Sequence, residues 1–387
     1  MNTPTYLYFT LDEYRQRLQS MRLRMEQKGV DVMLVHTPEN IYYISGYQSP
    51  GYYWYQALVV PLAAAPMLIP PPHEEALVSA YSWVTDYRLY HDTRDWVETT
   101  RDVLADLGMG GKRIGVENDS WFFTSRDYLR LKAMMPDATF VDCSGLVEQG
   151  RITKSPQEIE YMRHAASAAE AGMLAGLNAI AEGVSEAALA AEIHRAQFMA
   201  GSEYTGLPTF VTSGLRSMLV HATWSKKTVA RNEMVFFEVP GCINRYHAAM
   251  TRAAYTGDPP DLLLRATETN TDALALAKAA IKPGVPAHAA FEAARDRIAS
   301  GNVGYRQGRR VAYSIGIAFP PGWDEGHIIS INENEERPFA PGMTFHLITT
   351  MRIPGLGAIG CSDTVLVTHD GCETLTAGVE QKLHLIR

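Results

Sequence analysis

The sequence has 387 residues, 46% of them hydrophobic and 20% charged, which suits a soluble globular protein of two domains with substantial cores. Its net charge of −8 at pH 7 gives no positive field to attract nucleic acid or anionic lipid, and both are excluded as partners. The first residues carry charge throughout and no uncharged apolar run of roughly 18 residues occurs, so neither a signal peptide nor a membrane span is expected and the protein is placed in the cytoplasm. In chain order, Leu11 to Lys28 has apolar residues at helical spacing, early acids at Asp12 and Glu13, and Gly29 as a stop. "VDVMLVHT" and "ALVVPLAAAPMLIP" read as buried strands, the latter as a pair joined by a short turn. "KRIGVEND", a helix at Ser125 to Met135 and the strand "ATFVDCS" complete an α/β unit spanning residues 1–150.

The boundary falls at "GRITKSPQEIEYMRHAASAAEAGM". There Ser155, Pro156 and Glu158 supply an N-cap, a first-turn proline and an early acid for a long helix. Two further helices are expected, Ser185 to Ala200 and Pro260 to Ile281, the second ending at "KPG". The strands "EMVFFEV", "AAMTRAAYTG", "RRVAYSIGIAF", "GMTFHLITTMRI" and "DTVLVTHDG" lie between and after them, so residues 151–387 form an α+β domain. Cys143, Cys242, Cys361 and Cys372 have no metal-ligand spacing and are read as reduced thiols.

Several stretches converge on one family. "KSPQEIEYMRHA", the run "HATWSKKTVARNEMVFFEVPGCINRYHAAMTRAAYTGDPP", "KPGV", "AYSIGIAFPPGWDE", "PGMTFHLIT" and "GCSDTVLVTHDG" occur in an order that resembles the creatinase and methionine/X-prolyl aminopeptidase superfamily. The resemblance runs from about residue 12 to the C-terminus. It implies an α/β N-terminal domain followed by an α+β pita-bread catalytic domain. The metal-dependent members hold two cations with two aspartates, a histidine and two glutamates, because hard cations need clustered anionic oxygens. Laid over this sequence, those positions become Glu238, Ala249, the vicinity of Tyr313, and the vicinities of Ile348 and Ser362. One carboxylate does not hold a dinuclear centre, so the resemblance with these departures implies metal-independent chemistry and no cofactor.

Two branches of the superfamily work without that centre, creatinase and the ectoine hydrolases, and both cleave C–N bonds in small charged solutes. "FFEV…RYHAAMTR", "IAFPPGWDE", "PGMTFH" and "HATW" look more like the second group. The glutamates that creatinase places near Thr251 and Ile348 are missing. A glutamate of the ectoine hydrolases near Ser362 is missing too, so a relative of ectoine is also an expected substrate.

His221 aligns with the proton-transferring histidine of these branches; alone it also reads as a loop histidine bonded to backbone. Glu238 closes the apolar run "MVFF", and a buried carboxylate there needs a cation or donor. A substrate amidinium would match its two oxygens; it can also act as base or nucleophile, or simply pair with Arg252 or Arg245. Tyr313, His247 and His346 are expected on strands facing the same cavity, where polar donors stabilise an oxyanion, with His346 equally readable as a core histidine. Arg252 is assigned a structural role. Tyr53 and Trp54 in "YQSPGYYWYQ", together with Tyr52, are candidate aromatic caps for a cationic ligand in a homodimer whose N-terminal domain covers the partner's active site, or an exposed dimer contact. Trp323 in "PPGWDE" is a second cap candidate.

The expected function is therefore metal-independent hydrolysis of a non-peptide C–N bond in a small zwitterionic amidine, with His221, Glu238 and Tyr313 catalytic. Its rivals are creatinase-like hydrolysis of a guanidino acid, a lyase of a sulfonium or betaine solute, a non-catalytic binding protein on the same scaffold, and a metal peptidase with unusual ligands.

Overall fold

The computed structural model describes residues 6–91, 95–219, 221–303 and 309–387. The chain divides into two compact units, the first ending at Arg151 and the second running from Ile152 to Arg387. In the first, α1 (Leu11–Lys28) is capped by the Thr10 hydroxyl, which accepts from the Glu13 N–H, and stops at Gly29 in the left-handed conformation. Then follow β1 (Val32–Val35), α2 (Pro38–Ser45), β2 (Ala57–Pro61), β3 (Met67–Ile69), α3 (Glu75–Tyr81), α4 (Trp96–Asp106), β4 (Arg113–Val116), α5 (Ser125–Met134), β5 (Thr139–Asp142) and α6 (Glu148–Arg151). The five strands order as β3-β2-β1-β4-β5, with β1 antiparallel to β2 and parallel to β4.

The second unit opens with α7 (Pro156–Ala179). Its start is a full capping box: Ser155 accepts from the Glu158 N–H and the Glu158 carboxylate accepts from the Ser155 N–H. It continues with α8 (Glu186–Met199), β6 (Phe210–Ser213), β7 (Met234–Ile243), β8 (Tyr246–Thr256), α9 (Asp261–Ala280), α10 (His288–Gly301), β9 (Arg310–Ser314), β10 (Ser330–Asn332), β11 (Thr344–Ile353), β12 (Gly357–Val367), β13 (Cys372–Thr374) and β14 (Leu383–Ile386). The main sheet runs β10-β9-β11-β12-β8-β7-β6, with β13 on β12 and β14 on β8. All four cysteines are free thiols.

Alternation along β7 and β11 sorts side chains to two faces. Val235, Phe237 and Val239 join Met173, Leu177 and Ile193 in the core under α7 and α8. Phe345, Leu347, Met351 and Ile353 join Leu263, Leu274 and Phe291 under α9 and α10. The even-numbered residues of both strands are left for the other face.

The β7–β8 hairpin that carries Glu238 turns through Asn244 and Arg245, both with positive φ (48° and 64°), which is the twist-matched two-residue connection. An arginine rarely adopts that conformation. Here the Glu203 carboxylate accepts both turn N–H groups, and the buried Arg245 guanidinium donates to the Tyr204 and Ala318 carbonyls while stacking on Tyr204 and Phe319. On β7, Gly241 lies against α7 so closely that a Cβ would overlap the Ala165 carbonyl oxygen.

The sequence reading did not include α2, α3, α4, α6, β6, β10, β13, β14 or the longest of the unexpected elements, α10. Its segment begins without a side-chain cap at Ala287, so the usual start signal is missing, and half of its buried face is alanine, Ala290 and Ala294 beside Phe291 and Ile298. Gly241→Ala is predicted to destabilise the second unit by roughly 1–3 kcal/mol through forced separation of α7 from β7. Urea unfolding measures it, and a wild-type midpoint would mean that the contact relaxes freely.

Candidate functional site

Glu238 pairs in register with Phe210 on one side and Thr251 on the other; Thr251 pairs with Ser362, and Ser362 with Ile348. One row of residues thus crosses five strands. It opens onto a cavity of about 240 Å³ lined by Phe210, Thr212, Phe236, Glu238, Ile348, Thr350 and Arg352 of the sheet face, by Tyr313 and Trp323, and by His221 at an exposed rim. Apolar side chains dominate the wall around Glu238, which is the composition of a small-molecule site.

The Glu238 carboxylate makes no hydrogen bond or ion pair among the described residues. The salt bridge left open from the sequence is absent: Arg252 binds Asp363 at 2.9 Å, and Arg245 lies 3.5 Å from Glu203. Desolvation alone raises the Glu238 pKa to about 7.

Opposite, Tyr313 is the hub of an uncharged chain. The Trp323 indole N–H donates to the Tyr313 hydroxyl at 2.9 Å, that hydroxyl lies 2.8 Å from His346 Nδ1, and His346 Nε2 lies 2.7 Å from the Ser362 hydroxyl. Burial pushes the Tyr313 pKa well above its ordinary value, with the neighbouring Glu238 adding to the effect, so the phenol stays protonated. Burial also lowers the His346 pKa to about 3, so the imidazole stays neutral. Two tautomers of neutral His346 satisfy the same heavy-atom distances. In one, Tyr313 donates to Nδ1. In the other, Ser362 donates to Nε2 and Nδ1–H donates to Tyr313, which frees the phenolic proton to point at a ligand.

His221 has a positive φ of 60°, packs its ring 5.6 Å from that of Phe210 and lines the cavity. His346 is at once a fully buried core histidine and the partner of Tyr313. His247 is a correction: Gly206 N–H donates to its Nε2 at 2.9 Å, its Nδ1 lies 3.0 Å from the Arg245 carbonyl, and it does not line the cavity. With both nitrogens used and its pKa lowered to about 3 by burial, it ties residue 206 to the hairpin turn. Trp323 is corrected as well, since it is 1% exposed and sits in the wall as a donor to Tyr313 rather than over the site as a lid. Tyr53 and Trp54 belong to the first unit, where they are 73% and 49% exposed, with ring centroids 6.0 Å apart.

Sequence reasoning missed the cavity's arginines. Arg310 stacks over the Tyr313 ring at 4.4 Å and lies 3.5 Å from Asp324, which also lines the cavity. Arg352 occupies the same face of β11 as Ile348 and Thr350, a period of two that could have revealed it.

The donor set does not fit a dinuclear metal centre. Of the positions aligned with peptidase ligands, Glu238 is an acid, while Ala249, Ile348 and Ser362 are not, and Tyr313 is occupied by Trp323 and His346. Among the described residues, no three His, Cys, Asp or Glu side chains are grouped to hold a metal ion.

Residues 160–369 match the model of metallopeptidase family M24, and residues 17–153 match the creatinase/prolidase N-terminal domain. The chain belongs to metallopeptidase family M24. It is 30% identical to an ectoine hydrolase of Halomonas elongata over 391 aligned positions, covering 95% of this chain and 96% of that enzyme. It is 26% identical to an Xaa-Pro dipeptidase of Lactobacillus helveticus, covering 93% of this chain and 96% of that one. The solved Xaa-Pro dipeptidase of Bacillus anthracis superposes with a TM-score of 0.83 at 23% identity, over 96% of this chain and 100% of that one. The second unit therefore has the family's pita-bread fold, preceded by a creatinase-type N-terminal domain. Within the family, this chain keeps the scaffold while only one of the aligned ligand positions remains acidic.

Glu238 also sets a pH dependence. Folded, it keeps its proton to about pH 7, whereas an unperturbed glutamate ionises near 4.5. Between those values the folded state binds more protons, so stability falls as pH rises from about 4.5 through about 7. Glu238→Gln should leave stability at pH 4 unchanged and raise it at pH 8 by on the order of 2 kcal/mol, the cavity-facing side chain being partly solvated. Urea unfolding at the two pH values tests this, and equal differences at both would contradict the burial argument.

Proposed function

We propose that this chain hydrolyses a non-peptide C–N bond in a small zwitterionic amidine, ectoine or a close chemical relative, without a bound metal. The observation that carries the reading is the unpaired Glu238 carboxylate in an apolar wall of a cavity sized for a small solute. A planar amidinium places two N–H groups at the separation of the two carboxylate oxygens, so substrate binding supplies the cation that the protein withholds. The ectoine hydrolase relative supports the substrate class.

In this reading, water adds to the amidine carbon and gives a proton to His221, whose ring stands at the cavity rim. The tetrahedral centre forms beside Tyr313, which donates its phenolic proton as a hydrogen bond when His346 holds the Nδ1–H tautomer. Collapse breaks one C–N bond, His221 returns the proton to the leaving nitrogen, and the products are an amide and an amine. Glu238 holds the amidinium before attack and faces the leaving nitrogen when His221 protonates it. If it attacks instead, an adduct forms on its carboxylate and water releases it afterwards. The exposed Tyr53 and Trp54 support extending the reading to a homodimer in which this aromatic loop covers the cavity of a second copy.

Chelator-treated protein incubated with ectoine, 5-hydroxyectoine and creatine should convert a cyclic amidine to a product heavier by one water, followed by mass spectrometry. His221→Ala should lower the rate by about a hundredfold or more. Tyr313→Phe should lower kcat more than it raises KM, because it removes a donor needed in the transition state. Activity that appears only on adding manganese or zinc would overturn the metal-independent reading, and turnover of creatine alone would shift the substrate to a guanidino acid.

A further inference from the structure

The cavity holds a second unpaired charge. Arg352 is only 5% exposed, yet it lines the cavity, and its one hydrogen bond among the described residues is from Nε to the Met218 carbonyl at 2.9 Å. Among the described residues no acid pairs with it: the nearby cavity acid Asp324 is taken by Arg310, and Asp363 by Arg252 and Lys278. The Met218 contact fixes the guanidinium plane through Nε and leaves the terminal nitrogens, the fork that binds carboxylates in pairs, without protein partners. A desolvated guanidinium with an unused fork is costly in an apo cavity unless an anion arrives to meet it.

Register gives the spacing. Ile348 lies in the row of Glu238, and Arg352 lies four residues further along β11, roughly 13 Å at the backbone. Both side chains are long and share one cavity, so Glu238 and Arg352 form its two uncompensated poles, one negative and one positive. The other pair of cavity charges, Arg310 and Asp324, neutralise each other.

Resting on the reading above, we infer that Arg352 binds the substrate's carboxylate, so that the site selects zwitterions carrying a carboxylate at one end and a cationic C–N group at the other. Arg352 is then a specificity residue remote from the reacting carbon, and its loss acts on ligand choice before it acts on chemistry.

Calorimetric titration of wild type and Arg352→Gln with ectoine, with the carboxamide of ectoine and with propionate tests this. Wild type should prefer ectoine to its carboxamide by about tenfold to hundredfold, the range for a hydrogen-bonded charge. Arg352→Gln should lose that preference because ectoine affinity falls far more than carboxamide affinity, a wild-type urea midpoint reports an intact fold, and Arg352→Lys should restore part of the preference. A preference that survives in Arg352→Gln, or that is lost in Arg310→Gln instead, overturns the inference and leaves the amidine reading standing. If wild type binds neither ectoine nor its carboxamide, the amidine reading is overturned, and propionate decides Arg352 separately. Binding of propionate that Arg352→Gln abolishes supports the anion site, and binding that is absent in wild type or equal in both proteins removes it.

Discussion

The Glu238 carboxylate is desolvated without a partner among the described residues, and the rest of the site is arranged around that fact. Other buried acids of the second unit are compensated. Asp363 receives Arg252, Lys278 and the Thr376 hydroxyl. Glu186 receives Ser213, Ser225 and Arg216, and Glu325 receives Lys154. A protein able to satisfy these acids leaves Glu238 bare in a cavity, which is the pattern of a group held ready for a ligand rather than for the fold. Its position is enforced from the C-terminal half of β7, by Gly241 against α7 and by the Arg245 turn locked onto Glu203.

The same low-polarity surroundings that raise Glu238 keep Tyr313 protonated and His346 neutral. One environment thus yields an acid poised near neutrality facing fixed neutral dipoles. Trp323 and Ser362 complete the chain from opposite ends, so the Tyr313 oxygen is held by packing and hydrogen bonds before any ligand arrives. Donors that are already aligned need no reorganisation when charge develops, which is what makes them effective in a dry cavity. The two tautomers of His346 give this chain a way to turn the phenolic proton inward without creating a charge.

Much of this was legible in the sequence where local chemistry decides structure. Asp12, Glu13 and Gly29 marked the ends of α1, Ser155 and Glu158 the start of α7, and the apolar run "MVFF" put Glu238 at a partly buried strand position. His247 shows where alternation stops being informative. It pairs with Cys242, four residues along β7 from Glu238 and on the same face, but roughly 13 Å away at the turn, where the Arg245 carbonyl and Gly206 capture it. Periodicity reports face and not distance. Arg352 was hidden for the complementary reason: a period of two along β11 puts it on the face of Ile348, but an arginine near a strand end reads as solvated until the cross-strand register ties that face to Glu238. The pairing of Asp324 with Arg310, which leaves Arg352 as the uncompensated cation, is a tertiary fact with no local signature.

Charge balance alone does not separate an amidine from a dipeptide, since both are zwitterions that would satisfy Glu238 and Arg352. The distinction lies in the reacting carbon. A peptide carbonyl is neutral in the ground state and develops its negative oxygen only on attack, so its hydrolysis draws on strong electrostatic stabilisation of the kind a dinuclear centre provides. An amidinium carbon carries positive charge before attack, and adding water to it discharges that cation rather than building an anion. In the proposed reaction a fixed carboxylate binds that cation and meets the leaving nitrogen when it is protonated, while a neutral phenol donates to the added oxygen, and neither task needs a metal. In the proposed reaction, the Glu238 carboxylate and the Tyr313 phenol therefore serve a cationic substrate at a site where Ala249, Ile348 and Ser362 stand in place of acidic ligands.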